Sequence, residues 1–216
     1  MPESLGITPI SIIQRLSVYL RNLRDARADG AEFISSNELA ERNGYTSAQV
    51  RKDFACFGSF GKKGKGYHID SLISTIEGIL GLTAPWRVAL LGLGHLGEAL
   101  AGYKGFHRSG FDIVAIFDTH GEPQSNMYNN IPVYSIAQMA QVAKKEKIDI
   151  AIVAVPSQMA KDVIQKVIDA GIKGILNFTD VRVPVPQGFI LKNVSLAAEL
   201  ETISYYLTNP GWPCRG

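Results

Sequence analysis

At 216 residues, 46% of them hydrophobic, the chain has room for one large domain or two small ones and enough apolar material to bury a core. A net charge of +2 names no partner, so what counts is where the basic residues fall. Cys56 and Cys214 lie outside any C-x-x-C or Cys/His spacing, no basic-then-apolar leader is visible, and no apolar run approaches the about 20 residues of a membrane span; a reduced, cytoplasmic protein without disulfide scaffold, metal site or membrane segment is expected.

Thr8-Pro9 reads as an N-cap with proline in the first turn, and Ile10, Ile13, Leu16, Leu20 and Leu23 recur behind it at helical spacing. The first helix is therefore long and amphipathic, with Arg15, Arg21, Arg24 and Arg27 expected on a solvated face. Ser35-Ser-Asn-Glu38 fits a capping box that opens a short helix ending near Asn43-Gly44. Thr46 then caps a third helix through Phe57, and the short turn between the two is the spacing of a helix-turn-helix whose second member enters the DNA major groove. From Gly58 to Ile69 glycines alternate with Lys62, Lys63 and Lys65, a run unsuited to a core helix but suited to a β-hairpin wing whose lysines reach phosphates. Thr46, Ser47, Gln49, Arg51 and Lys52 on the helix, with Lys62, Lys63 and Lys65 on the wing, are the candidate DNA contacts. The alternative is a charged loop that is merely solvated. Asp70 is expected to cap a fourth helix, Ser71 to Leu80, and Gly81 to Pro85 reads as a helix stop and linker, hence a domain boundary.

Val88 to Leu91 form a wholly apolar run of the kind buried in a parallel sheet, and Gly92-Leu93-Gly94-His95-Leu96-Gly97 carries the chain from it into a helix predicted to reach Arg108. This is G-x-G-x-x-G between strand and helix. Gly92 makes the tight turn, Gly94 lets the backbone approach a pyrophosphate, and Gly97 lets helix and strand pack closely, while the helix N-terminus offers N–H groups to the phosphates. Phe111 to Asp118 is a second apolar run that ends in an acid about 20 residues beyond the glycines, where a carboxylate accepts hydrogen bonds from the adenosine ribose. Asp118 would repel a ribose phosphate, so NAD(H) is favoured over NADP(H). A nucleotide-free βαβ unit is the alternative.

Thr119 to Asn130 reads as a polar loop, Ser135 to Glu146 as a helix, and Ile148 to Val155 as a buried strand whose carboxyl end, at Pro156-Ser157, faces the ligand. Gln158 to Ala170 is the next helix, followed by strands at Gly174 to Asn177 and Phe189 to Val194; the alternation predicts a doubly wound parallel sheet. In the last helix, Ser195 to Leu207, an apolar stripe of Leu196, Ala197, Leu200, Ile203 and Leu207 must be covered by the chain's own sheet or by a second subunit. After the N-terminal helices are subtracted, no length remains for a substrate domain, and no Ser-His-Asp order, metal cluster or phosphate-binding lysine loop is visible. The nucleotide site reads as a sensor's, with no catalytic residues. The rival reading is a small NAD-dependent oxidoreductase whose N-terminal helices only dimerise, which the basic wing argues against.

Gln14 to Tyr19, Ser35 to Ala40, Arg51 to Phe54, Phe57 to Tyr67, Gly92 to Gly97 and Ala170 to Phe178 together make the chain resemble, over nearly its whole length, the Rex family of redox-sensing transcriptional repressors. The resemblance implies a winged-helix DNA-binding domain (1–82), a Rossmann NAD(H)-binding domain (86–194) and a C-terminal helix (195–216) swapped onto the partner of a homodimer. It implies binding of a palindromic operator in NAD+ and release when NADH binds, with genes of fermentation and respiration as targets. It further implies that Gly92, Leu93, Gly94, His95, Leu96 and Gly97 line the dinucleotide, that Asp118 holds the ribose, and that Val155, Pro156, Tyr103 and Phe178 lie near the cofactor. Arg15, Tyr103 and residue 195 fall at switch positions, where Arg15 would pair with an acid at the start of the last helix. This chain has Ser195 there, His95 where the family has Asn, and Asp180 where it has Pro.

Overall fold

The computed structural model describes residues 9–58, 60, 66–118 and 127–209, and the chain divides between Ala84 and Pro85 into two compact units. In the first unit, α1 (Ile10–Ala28) lays one stripe, Leu16, Tyr19, Leu20, Leu23 and Ala26, into the core. Pro9 is its boundary residue rather than part of its first turn, with ψ of 134°, and Thr8 lies outside the described residues. β1 (Phe33–Ile34), absent from the sequence reading, leads into α2 (Ser36–Glu41), where Ser35 and Glu38 close the anticipated capping box at 3.1 and 2.7 Å. α3 (Ser47–Ala55) begins under a Thr46 cap, its hydroxyl accepting from the Gln49 N–H at 3.1 Å.

β2 (Tyr67–His68) pairs antiparallel with β1, and Gly66 just before it has φ of +74° with Ile34 O only 2.6 Å from where a Cβ would sit. That return strand is what the wing would spring from. Lys62, Lys63 and Lys65 lie outside the described residues. α4 (Ile69–Ile79) starts earlier than predicted and is capped by His68, whose Nδ1 accepts from the Ser71 N–H at 3.4 Å, not by Asp70. The reason is burial: Ile69 is part of the core, which draws the helix start toward it and leaves Asp70 exposed in the first turn.

In the second unit the elements are β3 (Trp86–Leu91), α5 (His95–Ala101), α6 (Gly105–Arg108), β4 (Phe111–Asp118), β5 (Met127–Tyr128), β6 (Ile131–Ser135), a 3-10 turn (Ile136–Gln138), α7 (Met139–Glu146), β7 (Ile150–Val153), α8 (Ser157–Asp169), β8 (Gly174–Asn177), β9 (Ile190–Asn193) and α9 (Leu196–Thr208). They build a seven-stranded sheet in the order β5-β6-β4-β3-β7-β8-β9, parallel throughout except for the β5–β6 hairpin. Without β5, numbering the strands along the chain gives the order 3-2-1-4-5-6 of a dinucleotide-binding sheet, with the reversal of direction between β3 and β7. β3 shows why both faces are covered: Ala89 and Leu91 join the core under α7 and α8, while Val88 and Leu90 face the side packed by Leu100 of α5 and Phe106 of α6. The helix predicted from His95 to Arg108 is broken at 102–104. The hairpin was not foreseen; its two-residue loop, Asn129-Asn130, has φ of 48° and 63°, the positive values that such a turn requires and asparagine tolerates.

α9 is packed on neither face. Leu196, Leu200, Ile203 and Leu207 are 63, 67, 55 and 76% exposed, so cover by the chain's own sheet, one of the two expectations, is not what the structure shows.

The arginine face of α1 also differs from expectation. Arg24 reaches Glu77 of α4 at 2.9 Å, and Arg15 places Nε and Nη2 on the two oxygens of Asp53 at 2.6 and 2.7 Å. Asp53, on α3, is fully buried and accepts further from the Tyr19 hydroxyl (2.9 Å) and from Gln49 Nε2 (2.7 Å). Four donors answer the cost of burying the charge, and they tie α3 to α1. Burial pushes the Asp53 carboxyl up, but the hydrogen bonds from Arg15, Tyr19 and Gln49 outweigh it and hold it below the usual carboxylate range; burial and the same carboxylate push the Tyr19 hydroxyl up. A depressed carboxyl contributes stability that is present above its unfolded value of about 3.9 and is lost as pH falls through the folded value. Tyr19→Phe should therefore lower the protection of the Val50 and Phe54 amides against hydrogen exchange by about 1.5–3 kcal/mol. In Asp53→Asn the protection should be lower at pH 7 and should fall less on acidification below about pH 4; an unchanged acid slope would exclude Asp53 as its source.

Candidate dinucleotide site and DNA-facing helix

β3 ends against the glycine turn because nothing larger fits. Gly92 has φ of +96°, and a Cβ there would stand 2.6 Å from Ala154 O on the neighbouring β7 side. Gly97 is buried, and a Cβ on it would run into Gly92 O, so α5 rests backbone to backbone on the end of β3. Gly94, the N-cap of α5, is the opposite case: nothing lies within 4 Å of its would-be Cβ. The open side of that residue borders a cavity of ≈ 530 Å³, within the range that holds small ligands.

The cavity sits at the carboxyl ends of the strands, where the order reverses. Of the expected residues it is lined by Gly92, Leu93, Gly94, His95, Leu96, Asp118, Val155, Pro156 and Phe178. The Asp118 carboxylate accepts from the Leu93 N–H at 2.7 Å, which sets it beside the glycine turn at the place where a ribose follows a pyrophosphate. Ile136, Ala154 and Met159 also line the cavity and were not anticipated. Ala154 and Met159 flank the predicted Val155-Pro156 end and were in reach of the same argument; Ile136 arrives only through the 3-10 turn after β6, a strand the sequence reading missed.

Two expected residues are not on the wall. Gly97 lies beneath it, in the strand–helix packing just described. Tyr103, 58% exposed, falls in the break between α5 and α6, edge-on to Phe106 at 5.1 Å, and borders a separate hollow of ≈ 210 Å³ with Lys104, His107 and Asp112. Had α5 continued to Arg108 as predicted, Tyr103 would have been one more helical position; the break gives it a different surrounding.

Sequence reasoning assigned no role to Asn177, which the structure places at a corner behind Phe178. It is fully buried; its Nδ2 donates to Val181 O (2.9 Å) and Asn193 Oδ1 (2.8 Å), and its Oδ1 accepts from the Thr179 N–H (3.0 Å) and hydroxyl (2.8 Å). That amide shapes the turn that carries Phe178 to the cavity. Ser157, at the start of α8, donates to Asp180.

On α3, Thr46 is committed to its cap, Ser47 and Gln49 are half-buried, and Arg51 and Lys52 are exposed, with Arg51 Nη1 donating to Ser36 Oγ at 3.1 Å. Arg15, one of the expected switch positions, has a carboxylate partner within its own unit, Asp53. Ser195 caps α9, its hydroxyl accepting from the Ala198 N–H at 3.2 Å. Among the described residues no cluster of His, Cys, Asp and Glu could hold a metal, and no helix is long and apolar enough to cross a membrane.

A helix-turn-helix with an exposed second helix, in one chain with a dinucleotide-type sheet whose glycine turn opens onto a cavity, defines the class: a DNA-binding protein with a nucleotide site. Family comparisons divide the chain in the same way, residues 8–55 matching "Putative DNA-binding protein N-terminus" and residues 83–181 matching "CoA binding domain". The redox-sensing transcriptional repressor Rex of Desulfitobacterium hafniense is 44% identical over 91% of this chain and 94% of its own, and that of Pelotomaculum thermopropionicum 42% identical over 92% and 93%. The crystal structure of RSP in complex with beta-NAD+ and operator DNA matches with a TM-score of 0.87 at 35% identity over 94% of each chain, and that of RSP with beta-NADH with 0.83 at 33% over 94% and 95%. The chain belongs to the Rex family of redox-sensing transcriptional repressors. These are transcriptional repressors and not enzymes.

The glycines separate fold from binding. Gly94→Ala, with open space at the N-cap, should leave the unliganded melting temperature nearly unchanged but remove most of the stabilisation by NADH, which for a bound ligand is about 2.7 kcal/mol at a hundred times Kd. Gly97→Ala, driven against Gly92, should melt lower with or without NADH. Thermal unfolding of both variants checks this; equal behaviour would refute the division of roles.

Proposed function

We propose that the protein is a cytoplasmic, operator-binding repressor that reads the NADH/NAD+ ratio, holding DNA through α3 and the lysine segment after it and releasing DNA when NADH enters the cavity of the second unit. The observation that carries this reading is that RSP, similar over 94% of this chain, forms crystals both with beta-NAD+ and operator DNA and with beta-NADH. The residues fit a dinucleotide: Gly94 leaves room for a pyrophosphate, His95 and Leu96 at the start of α5 line the same cavity, and Asp118 stands where a ribose hydroxyl can donate to it.

The working form is a homodimer on a palindromic operator. α9 supports this, because an exposed stripe of Leu196, Leu200, Ile203 and Leu207 has the apolar character of an interface core, and a swap onto a second copy would cover it. Two copies of α3 then address half-sites about one DNA turn apart, and Lys62, Lys63 and Lys65 supply phosphate contacts. A ligand shifts such a system only through its different affinity for the DNA-bound and released arrangements, so NADH must bind the released dimer more tightly than it binds the DNA-bound one.

Titrating NADH into a protein–DNA mixture at fixed salt should dissolve the complex, while NAD+ at the same concentrations should not; a complex indifferent to both would overturn the reading. Calorimetry should give NADH at least about tenfold tighter binding than NADPH, equivalent to about 1.4 kcal/mol, and Asp118→Ala should narrow the gap by removing the like charge that meets the 2′-phosphate.

A further inference from the structure

Gln49 and Asp53 stand one turn apart on α3, and the geometry points to a way in which the buried acid governs what the helix reads. An ionised carboxylate only accepts hydrogen bonds, so the glutamine that meets it must present nitrogen: Gln49 Nε2 donates to Asp53 Oδ1 at 2.7 Å. Asp53 has no freedom to turn away, because Arg15 grips both its oxygens at 2.6 and 2.7 Å and Tyr19 donates at 2.9 Å. The amide of Gln49 is thereby fixed with its nitrogen toward the buried acid and its oxygen on the other side. Gln49 is half-exposed in the first turn of α3, and its Oε1 has no partner among the described residues. The N-terminal residues of a recognition helix are those that approach base edges.

We propose that Asp53 is a positioning residue for base reading: it makes Gln49 meet DNA with its carbonyl oxygen, which selects an exocyclic amino group, A N6 or C N4, in the major groove. An unrestrained glutamine can rotate its amide to offer either atom; here the rotation would set two oxygens, Oε1 and Oδ1, against each other. The proposal rests on the reading of α3 as the DNA-facing helix.

The test starts with the full-length protein and selection from random double-stranded DNA. Gln49→Met keeps the length of the side chain and leaves Arg15, Tyr19 and Asp53 together, so the fold is retained. On the selected operator, Gln49→Met should lose preference at one base pair of each half-site only, with affinity for random DNA unchanged. Replacing the adenine of that pair by deoxynebularine, or the cytosine by deoxyribosyl-2-pyrimidinone, removes the amino group; this should weaken binding of the original protein about fivefold or more and that of Gln49→Met hardly at all. Asp53→Asn, which can face Gln49 with oxygen or nitrogen, should lose the same preference, a result that a structural role alone would not restrict to one base pair. Preferences unchanged at every pair in Gln49→Met, or equal losses on the analogue by both proteins, would overturn the proposal. Selection that enriches no sequence would instead overturn the DNA-binding reading itself, and this inference with it.

Discussion

The second unit depends on one close approach, the backbone of α5 lying on the end of β3 at Gly97 and Gly92. A methyl group at either position would collide with a backbone carbonyl oxygen, of Gly92 or of Ala154, each one residue beyond the last β3–β7 pair, Leu91 with Val153. Because α5 comes so near, its first residues, His95 and Leu96, border the space beyond β3. Because β3 is the strand at which the sheet order reverses, that space is open between the βα connections of β3 and β7. Cavity, helix start and the carboxylate of Asp118 thus meet around a single packing contact.

In the first unit a charge plays the corresponding part. The Asp53 carboxylate lies among α1 and α3 side chains, and the pairing with Arg15 is favourable there because Tyr19 and Gln49 use the remaining acceptor capacity. Among the described residues no buried side-chain nitrogen or oxygen lacks a partner. The result is that α3 is registered against α1 by directed bonds as well as by the packing of Val50 and Phe54, and directed bonds specify an orientation that apolar contacts leave loose.

Much of this was legible before any coordinates. The capping box at Ser35 and Glu38, the Thr46 cap, the strand–glycine–helix unit and the acid at the end of β4 rest on neighbours within a few residues, or on a periodicity of apolar positions, and both are properties of the chain itself. The elements that were missed depend on partners far away in sequence. β1 is two residues long and is a strand only because β2 pairs with it; α4 begins at Ile69 because the core of the first unit takes that side chain; the β5–β6 hairpin turns on Asn129-Asn130, a weaker signal than a glycine. Arg15, Arg24 and Arg27 looked like one solvated face because helical spacing shows which residues share a side but not what stands opposite.

What the sequence determined by itself is the division into a DNA-type and a nucleotide-type unit, the strand–turn–helix at Gly92, and the family, because these are carried by local steric and hydrogen-bond rules that act over short stretches. Only the tertiary structure decided that Arg15 belongs to Asp53, that Tyr103 stands apart from the cavity while Ile136 and Met159 join it, and that α9 finds no cover on its own sheet. The physical reason is common to all three. Each is a competition among contacts of distant segments, and the chain's local preferences are the same whichever contact wins.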